Sequence, residues 1–142
     1  MSVSGTDHVV IAVRDIDEGI RTWGDRLGLT LSHKADLPEA GLRQAFFALD
    51  DGTFVELIAP AGADSPLDGV LAARGEGIHV LALRVDDLDE AVAGLEARGV
   101  RLTGVGTPQV FIHPKSASGV MVQLWPKDRP HRWRDGSGQQ AD

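Results

Sequence analysis

The first thirty residues change from a strand pattern to a helix pattern. Small and bulky apolar residues alternate over residues 8–13, which predicts a β-strand that carries His8 on its less bulky face. Asp15, with Glu18 three residues later, is typical of a capping box at the start of a helix. Apolar residues then recur at helical spacing, at Ile16, Ile20, Trp23 and Leu27. We therefore expect a strand followed by a helix that ends at Gly28.

The rest of the first half contains a predicted hairpin and a connecting segment. Residues 42–49 and 53–59 favour strands, and the Asp50-Asp51-Gly52 sequence between them is typical of a hairpin turn. A linker rich in Pro, Gly and Ala runs from Ala59 to Ala63, and Ser65-Pro66 then begins a short predicted helix that extends through Ala73.

The second half of the chain repeats the first. The segment from Asp15 to Ile20 matches the segment from Asp87 to Val92, and each follows a short apolar strand. A second match, between strands near the end of each half, makes Glu56 and Gln123 equivalent positions. The predicted elements of this half are a strand over 79–85, a helix over 87–98, and strands near 100–103, 109–113 and 119–125.

These patterns predict one domain, residues 5–126, built from two modules. A chain of 142 residues, 42% of them hydrophobic, suits a single core, whereas either half alone would be marginal. We expect module 1 over 5–60, a linker with a short helix over 61–76, and module 2 over 77–126. Residues 127–142 contain turn formers without periodicity and are predicted to be a flexible tail.

Composition narrows the classes of partner and of metal site. The formal net charge is -7, from 14 Lys and Arg against 21 Asp and Glu, so nucleic acids and anionic membranes are not expected partners. No apolar run approaches the roughly 20 residues of a membrane span, and we expect a cytoplasmic protein. The absence of cysteine excludes disulfides and thiolate metal sites, which leaves His, Glu, Asp and Gln as possible ligands.

Six short motifs occur in order along the chain: Asp7-His8-Val9, Pro38-Glu39-Ala40-Gly41, Glu56-Leu57-Ile58-Ala59-Pro60, Gly75-Glu76-Gly77-Ile78-His79, Arg84-Val85-Asp86-Asp87 and His113-Pro114-Lys115-Ser116. Their order resembles that of the vicinal oxygen chelate (glyoxalase/bleomycin-resistance) superfamily and, within it, of the methylmalonyl-CoA epimerases. The resemblance implies an α+β fold in which two tandem βαβββ modules form a cupped, incompletely closed eight-stranded barrel. In that superfamily the barrel surrounds a divalent metal.

The resemblance also implies a set of metal ligands, one of which is missing. Carried onto this sequence, the four ligand positions are His8, Glu56, Val80 and Gln123, and a valine cannot coordinate a metal. His79 is next to the missing position, but the alternation of a strand directs it to the opposite face. The implied site therefore has three ligands and suits Co²⁺, Mn²⁺, Ni²⁺ or Mg²⁺, or it holds no metal because of Val80.

The bases of the resembled epimerases are also replaced. Those glutamates correspond to Gln44 and Gln123, and an amide is too weak a base to accept a proton near neutral pH. The remaining candidate catalytic residues are Glu56 and His8, alongside the two glutamines at the base positions. Candidate substrate-binding residues are Phe54, Ile58, Met121, Trp125 and Lys115.

Three functions remain open on these residues. The first is an epimerase-like isomerase that moves a proton on a small enolisable substrate, such as a 2-substituted acyl-CoA. The second is a metal-free enzyme that uses His8 and Glu56 on another metabolite. The third is a non-catalytic protein that binds a small molecule, such as a drug. The superfamily often forms dimers, and we expect a homodimer.

Overall fold

The structure is a computed structural model that describes residues 3–135. Its strands are β1 (Val3–Ala12), β2 (His33–Leu37), β3 (Leu42–Ala48), β4 (Phe54–Pro60), β5 (Gly77–Val85), β6 (Leu102–Thr103), β7 (Val110–Ile112) and β8 (Val122–Pro126). Its α-helices are α1 (Ile16–Ile20), α2 (Asp68–Arg74), α3 (Leu88–Ala97) and α4 (Arg132–Asp135). A π-helical segment (Arg21–Arg26) and two 3₁₀ turns (Pro38–Ala40 and Pro114–Ser116) complete the regular structure. None of the helices in this part of the chain is both long and apolar enough to cross a membrane.

The described residues divide into two compact units. The first unit contains residues 3–9 and 79–130, and the second contains residues 10–78 and 131–135. Strands β1 and β5 each contribute residues to both units. The units differ from the two predicted modules, whose bounds remain a prediction.

In the second unit the strands lie in the order β2-β3-β4-β1. Both β2-β3 and β3-β4 are antiparallel, and the register of the second pair sets Gln44 opposite Ile58 and Phe46 opposite Glu56. Because paired residues project to the same side of a sheet, these four side chains share a face. The other face buries Ala45, Phe47 and Leu57 against α1, which buries Ile16 and Gly19.

In the first unit the order is β1-β5-β8-β7-β6. The β5-β8 pair is parallel, whereas β6-β7 and β7-β8 are antiparallel. Helix α3 closes a hydrophobic core with these strands, and the buried members of that core are Val85, Ala91, Val92, Leu95, Val110, Val122 and Leu124. This packing follows from the apolar stripe of α3.

The strand order supports the repeat in the sequence. The first half of the chain follows the order β1-β4-β3-β2 and the second half follows β5-β8-β7-β6, which is the same arrangement twice. The expected α+β fold, an eight-stranded mixed sheet without closure, is confirmed. The predicted helix cap at Asp15 forms, and Asp87 caps the matching helix in the same way, since each accepts a 2.9 Å hydrogen bond from a backbone N–H three residues later.

One local prediction held in extent but not in helix type, and another was wrong. The helix expected to reach Gly28 becomes π-helical after Ile20, and Leu27 N–H donates to Thr22 O at 3.0 Å, a five-residue interval. A flexible tail was expected over 127–142. In the described part of that range residues 132–135 form α4 and Trp133 is buried, so the prediction is wrong there. Aromatic packing orders this short segment although its sequence has no periodicity. Residues 136–142 of the predicted tail lie outside the described residues.

Candidate active site

The second unit contains a buried carboxylate on β4. Glu56 is 0% exposed, and the Nε2 of Gln44 donates a hydrogen bond to its Oε2 at 3.0 Å. Among residues 3–134, Glu56 is the only acidic residue that is buried. Removing a carboxylate from water is expensive unless it is hydrogen-bonded, so the Gln44 contact both stabilises and orients it. Phe54 and Ile58, its neighbours on the same face, are also buried.

An aromatic cluster covers the Glu56 face of the second unit. The Trp133 ring stacks on Phe46 with centroids 4.9 Å apart and meets Phe54 edge-on at 5.0 Å. The buried His131 ring meets Phe54 edge-on at 4.7 Å. Neither His131 nor Trp133 is among the residues that the sequence patterns single out. The one available signal was a histidine and a tryptophan two positions apart within an otherwise polar segment.

In the first unit, His8 is held by an ionisable neighbour. His8 is 0% exposed, and its Nδ1 lies 2.7 Å from Oδ2 of Asp7. A carboxylate at this distance favours the tautomer with the proton on Nδ1, which leaves the lone pair on Nε2 for another partner. The edge of Trp125 packs against His8 at 5.7 Å. The pair therefore presents an oriented imidazole beside an aromatic wall.

Gln123 on β8 is a buried amide with unused hydrogen-bonding capacity. It is 1% exposed, and neither its Nε2 nor its Oε1 has a hydrogen-bond partner among residues 3–135. Buried polar atoms are nearly always paired, and leaving one unpaired costs about 1–3 kcal/mol. This amide is therefore a candidate for contact with a ligand or a metal.

The position of the missing ligand lies on the Gln123 face. Gln123 is paired with Ala82 in the β5-β8 register, and Val80 is two residues before Ala82 on the same strand. Strand alternation therefore places Val80, which is buried, on that face and His79 on the opposite one. The prediction that the neighbouring histidine cannot replace Val80 is consistent with this register.

The remaining predicted residues of the first unit separate into two environments. Trp125 is buried, and its Nε1 donates to the backbone O of Arg129 at 3.0 Å. Met121 is half-buried just before β8. Lys115 is exposed on a 3₁₀ turn, so the structure does not place it with the buried groups.

The donor set fits a divalent metal in part. His8, with Nδ1 engaged by Asp7, and Gln123, with an unpaired amide oxygen, are both buried donors of the kinds that first-row metals accept. Glu56, the third predicted ligand, belongs to the second unit, and a carboxylate that binds a cation loses proton affinity. Glu56 therefore cannot serve as a metal ligand and as a strong base at the same time.

Comparison with known proteins assigns the family. A model of the Glyoxalase/Bleomycin resistance protein/Dioxygenase superfamily matches residues 7–115. The chain belongs to this superfamily. The mitochondrial methylmalonyl-CoA epimerase of Mus musculus is 34% identical over 126 residues, which cover 83% of this chain and 70% of the mouse protein.

Solved structures agree with this assignment. The crystal structure of methylmalonyl-CoA epimerase from Mycobacterium tuberculosis matches with a TM-score of 0.76 and 37% identity, over 96% of this chain and 93% of that one. A methylmalonyl-CoA epimerase in complex with methylmalonyl-CoA and NH₄⁺ matches with a TM-score of 0.74 and 28% identity, over 89% and 97% of the two chains. The expectation of an epimerase-like isomerase of this superfamily is confirmed by these relatives.

Proposed function

We propose that this protein is an epimerase of methylmalonyl-CoA or a closely similar 2-substituted acyl-CoA. The observation that supports this most directly is the buried Glu56 carboxylate, oriented by Gln44, since proton abstraction next to a carbonyl requires a positioned base. The relatives described above are named as methylmalonyl-CoA epimerases, and one of their structures contains methylmalonyl-CoA. Both support the same reaction, inversion at the carbon between the thioester and the carboxylate.

Glu56 is the proposed base. The carboxylate takes the proton from the substrate carbon, and the electrons of the broken C–H bond spread onto the thioester oxygen as an enolate. Gln44 cannot take a proton itself, but its N–H fixes the direction of the Glu56 lone pairs. Gln44, which replaces a base of the resembled epimerases, is thus proposed as a positioning residue, and Glu56 on β4 is proposed to remove the proton.

Phe54 and Ile58 flank Glu56 along β4 and form the proposed apolar walls. Such walls exclude water and protect the enolate from unselective protonation. Met121 and Trp125 are proposed to contact the acyl group, and the exposed Lys115 to meet a phosphate of the coenzyme.

His8 and Gln123 are the proposed metal donors. A divalent metal would supply Lewis-acid stabilisation of the negative charge that develops on the enolate oxygen. His8, oriented by Asp7, contributes an imidazole nitrogen, and Gln123 contributes an amide oxygen. We further propose that the protein is a homodimer and that it is located in the cytoplasm.

Deuterium exchange tests the reaction. The protein is incubated with methylmalonyl-CoA in D₂O, and deuterium at the carbon between the two carbonyls is followed by mass spectrometry, with buffer alone as the background. We expect exchange well above background and interconversion of the epimers. A parallel sample treated with a chelator and then reloaded with Co²⁺ reports the contribution of metal. Tight binding without any exchange would instead favour a binding protein.

A further inference from the structure

The face of the second unit that carries the proposed base is closed in this structure. Five side chains of the β3-β4 pair share that face, and each of them is at most 7% exposed: Gln44, Phe46, Phe54, Glu56 and Ile58. Glu56 itself is 0% exposed. A base that removes a proton must come within about 3 Å of the atom that carries it. Some part of the protein must therefore move before a substrate can reach Glu56.

The C-terminal segment of the second unit packs on the two rings beside Glu56. Phe46 is directly opposite Glu56 in the β3-β4 register, and Phe54 is two residues before Glu56 on the same face of β4. Trp133 stacks on Phe46 at 4.9 Å, with an angle of 15° between the rings, and meets Phe54 edge-on at 5.0 Å. Residues 131–135 therefore cover the part of this face that adjoins the proposed base.

Tertiary contacts hold this segment in place. Its helix, α4, has four residues, and isolated helices shorter than about 12–15 residues are marginal in water. The guanidinium of Arg134 lies over the Trp133 ring at 4.9 Å and over the Phe54 ring at 5.2 Å. Its Nη2 donates to the backbone O of Thr53 at 3.2 Å. The docked position thus depends on the side chains of Trp133 and Arg134.

Docking leaves one polar group of the segment unsatisfied. The indole Nε1 of Trp133 is buried and has no hydrogen-bond partner among residues 3–135. A buried N–H without an acceptor costs free energy, which opposes the favourable packing of the ring. The segment is therefore suited to detach without disturbing the sheet beneath it.

The chain that leads into the segment is held separately, in the first unit. Arg129 donates from Nη1 to the backbone O of Pro108 at 2.6 Å, and its own backbone O accepts from Nε1 of Trp125 at 3.0 Å. Pro130 connects this anchored residue to the segment. Detachment of residues 131–135 therefore requires movement of the chain beyond Arg129 only.

We propose that residues 131–135 form a lid, and that this lid and the acyl-CoA compete for the face that carries Glu56. This inference rests on the proposed function. The substrate binds the fraction of molecules in which the lid has detached, so its apparent affinity is reduced by that fraction. Bound substrate in turn keeps the lid away from the sheet, because it binds the open state alone.

Steady-state kinetics of full-length variants test the competition. Trp133→Ala removes the ring that packs on Phe46 and Phe54, so the open fraction increases. We expect its kcat/KM for methylmalonyl-CoA to rise at least about 5-fold, chiefly through a lower KM. Arg134→Ala should change kcat/KM in the same direction by less. Asp128→Ala, at an exposed position shortly before the lid, is the control and should react like the wild type.

A reversible cross-link tests the need for opening. The chain has no cysteine, so Thr53→Cys with Arg134→Cys provides two thiols for a short bis-methanethiosulfonate linker. We expect the linked protein to lose at least about 10-fold in kcat/KM and to recover when dithiothreitol releases the linker. The control is the same linker between Asp17→Cys and Lys34→Cys, whose native side chains form an exposed 2.9 Å ion pair. Linking that pair should not change the activity.

Hydrogen exchange tests the converse effect of substrate on the lid. Saturating methylmalonyl-CoA should accelerate amide exchange of residues 131–135 in the wild type. In Trp133→Ala, where the lid is already detached, the same addition should have little effect. A segment that is only structural would exchange at the same rate with and without substrate.

Three results would overturn the inference: full activity of the linked protein, a lower kcat/KM for Trp133→Ala, or unchanged or slower exchange of residues 131–135 with substrate. Each linked protein is compared with itself after release of the linker, so loss of folding cannot imitate the expected result. A wild type that exchanges no deuterium into methylmalonyl-CoA would overturn the proposed function as well. That failure is distinguishable because it appears before any substitution is made.

Discussion

Gln44 and Glu56 form a hydrogen-bonded pair, Nε2 to Oε2 at 3.0 Å, between two adjacent antiparallel strands, and both side chains are buried. The register does not place them directly opposite each other, since Gln44 is opposite Ile58. The contact is therefore diagonal, at a separation that long side chains can span. It joins a position where the resembled epimerases have a base to the buried carboxylate of this chain.

A double substitution should be less harmful than the single one at Gln44. Gln44→Leu leaves the Glu56 carboxylate buried without its donor, and we expect a loss of about 1–3 kcal/mol in the free energy of unfolding. Gln44→Leu with Glu56→Leu removes both polar groups and should restore most of that stability, because paired apolar replacements are nearly neutral. Urea unfolding of the wild type, Gln44→Leu, Glu56→Leu and the double variant measures this. Additive losses in the double variant would contradict the pairing.

Glu56→Gln should remove most of the activity while retaining the fold. The substituted amide keeps the shape and can still pair with Gln44, but it cannot accept a proton. We expect the epimerisation rate to fall about 10²–10⁴-fold, with little change in melting temperature. Glu96→Gln, on the exposed side of α3, is the matched control and should behave like the wild type. An active Glu56→Gln would assign the base elsewhere.

Local patterns predicted the parts of this structure that depend on neighbours in sequence. The caps at Asp15 and Asp87 follow from spacing alone, and alternation placed Phe54 and Glu56 on one face. The Gln44 contact depends on the β3-β4 register, which no pattern within β3 specifies. The packing of His131 depends on a ring of β4 that is distant along the chain, so periodicity could not predict it.

The two capping aspartates should make similar contributions to stability. Asp15→Ala and Asp87→Ala each remove an acceptor for one N–H at a helix start, and we expect each to lower the free energy of unfolding by about 0.5–2 kcal/mol. Asp89→Ala, also exposed in the first turn of α3, is the control and should have a smaller effect through the helix dipole alone. Chemical denaturation of each variant checks the ranking. If Asp87→Ala lowers the free energy of unfolding no more than Asp89→Ala does, the Asp87 cap does not stabilise the helix.

His113 should make stability fall as the solution becomes acidic. Its Nδ1 accepts a 3.1 Å hydrogen bond from Lys115 N–H, which requires the neutral ring. Burial, with the charges of Arg101 and Lys115 adding to it, holds the pKa of His113 below its ordinary value of 6.5. The unfolded chain therefore takes up a proton first as the pH falls through 6.5, so the contribution to stability is complete above that pH and declines below it.

His113→Asn isolates this effect. Asparagine can still accept the hydrogen bond of the turn, but it does not titrate. Urea denaturation between pH 7.5 and 5.5 measures the unfolding free energy of both proteins. As the pH falls, the wild type should lose stability relative to the variant. A difference that is constant over this interval would show that His113 titrates equally in both states.

Trp133→Ala should release the C-terminal segment without unfolding the rest of the protein. A buried tryptophan in a core typically contributes about 3–5 kcal/mol, but a short terminal segment can detach, so the loss is limited to its own docking free energy. We therefore expect a loss of about 1–3 kcal/mol and faster amide hydrogen exchange confined to residues 131–135. Asp128→Ala, an exposed residue shortly before this segment, should leave that exchange unchanged. If Trp133→Ala accelerates exchange throughout β3 and β4 as well, the aromatic cluster is part of the core and His131 cannot move independently of it.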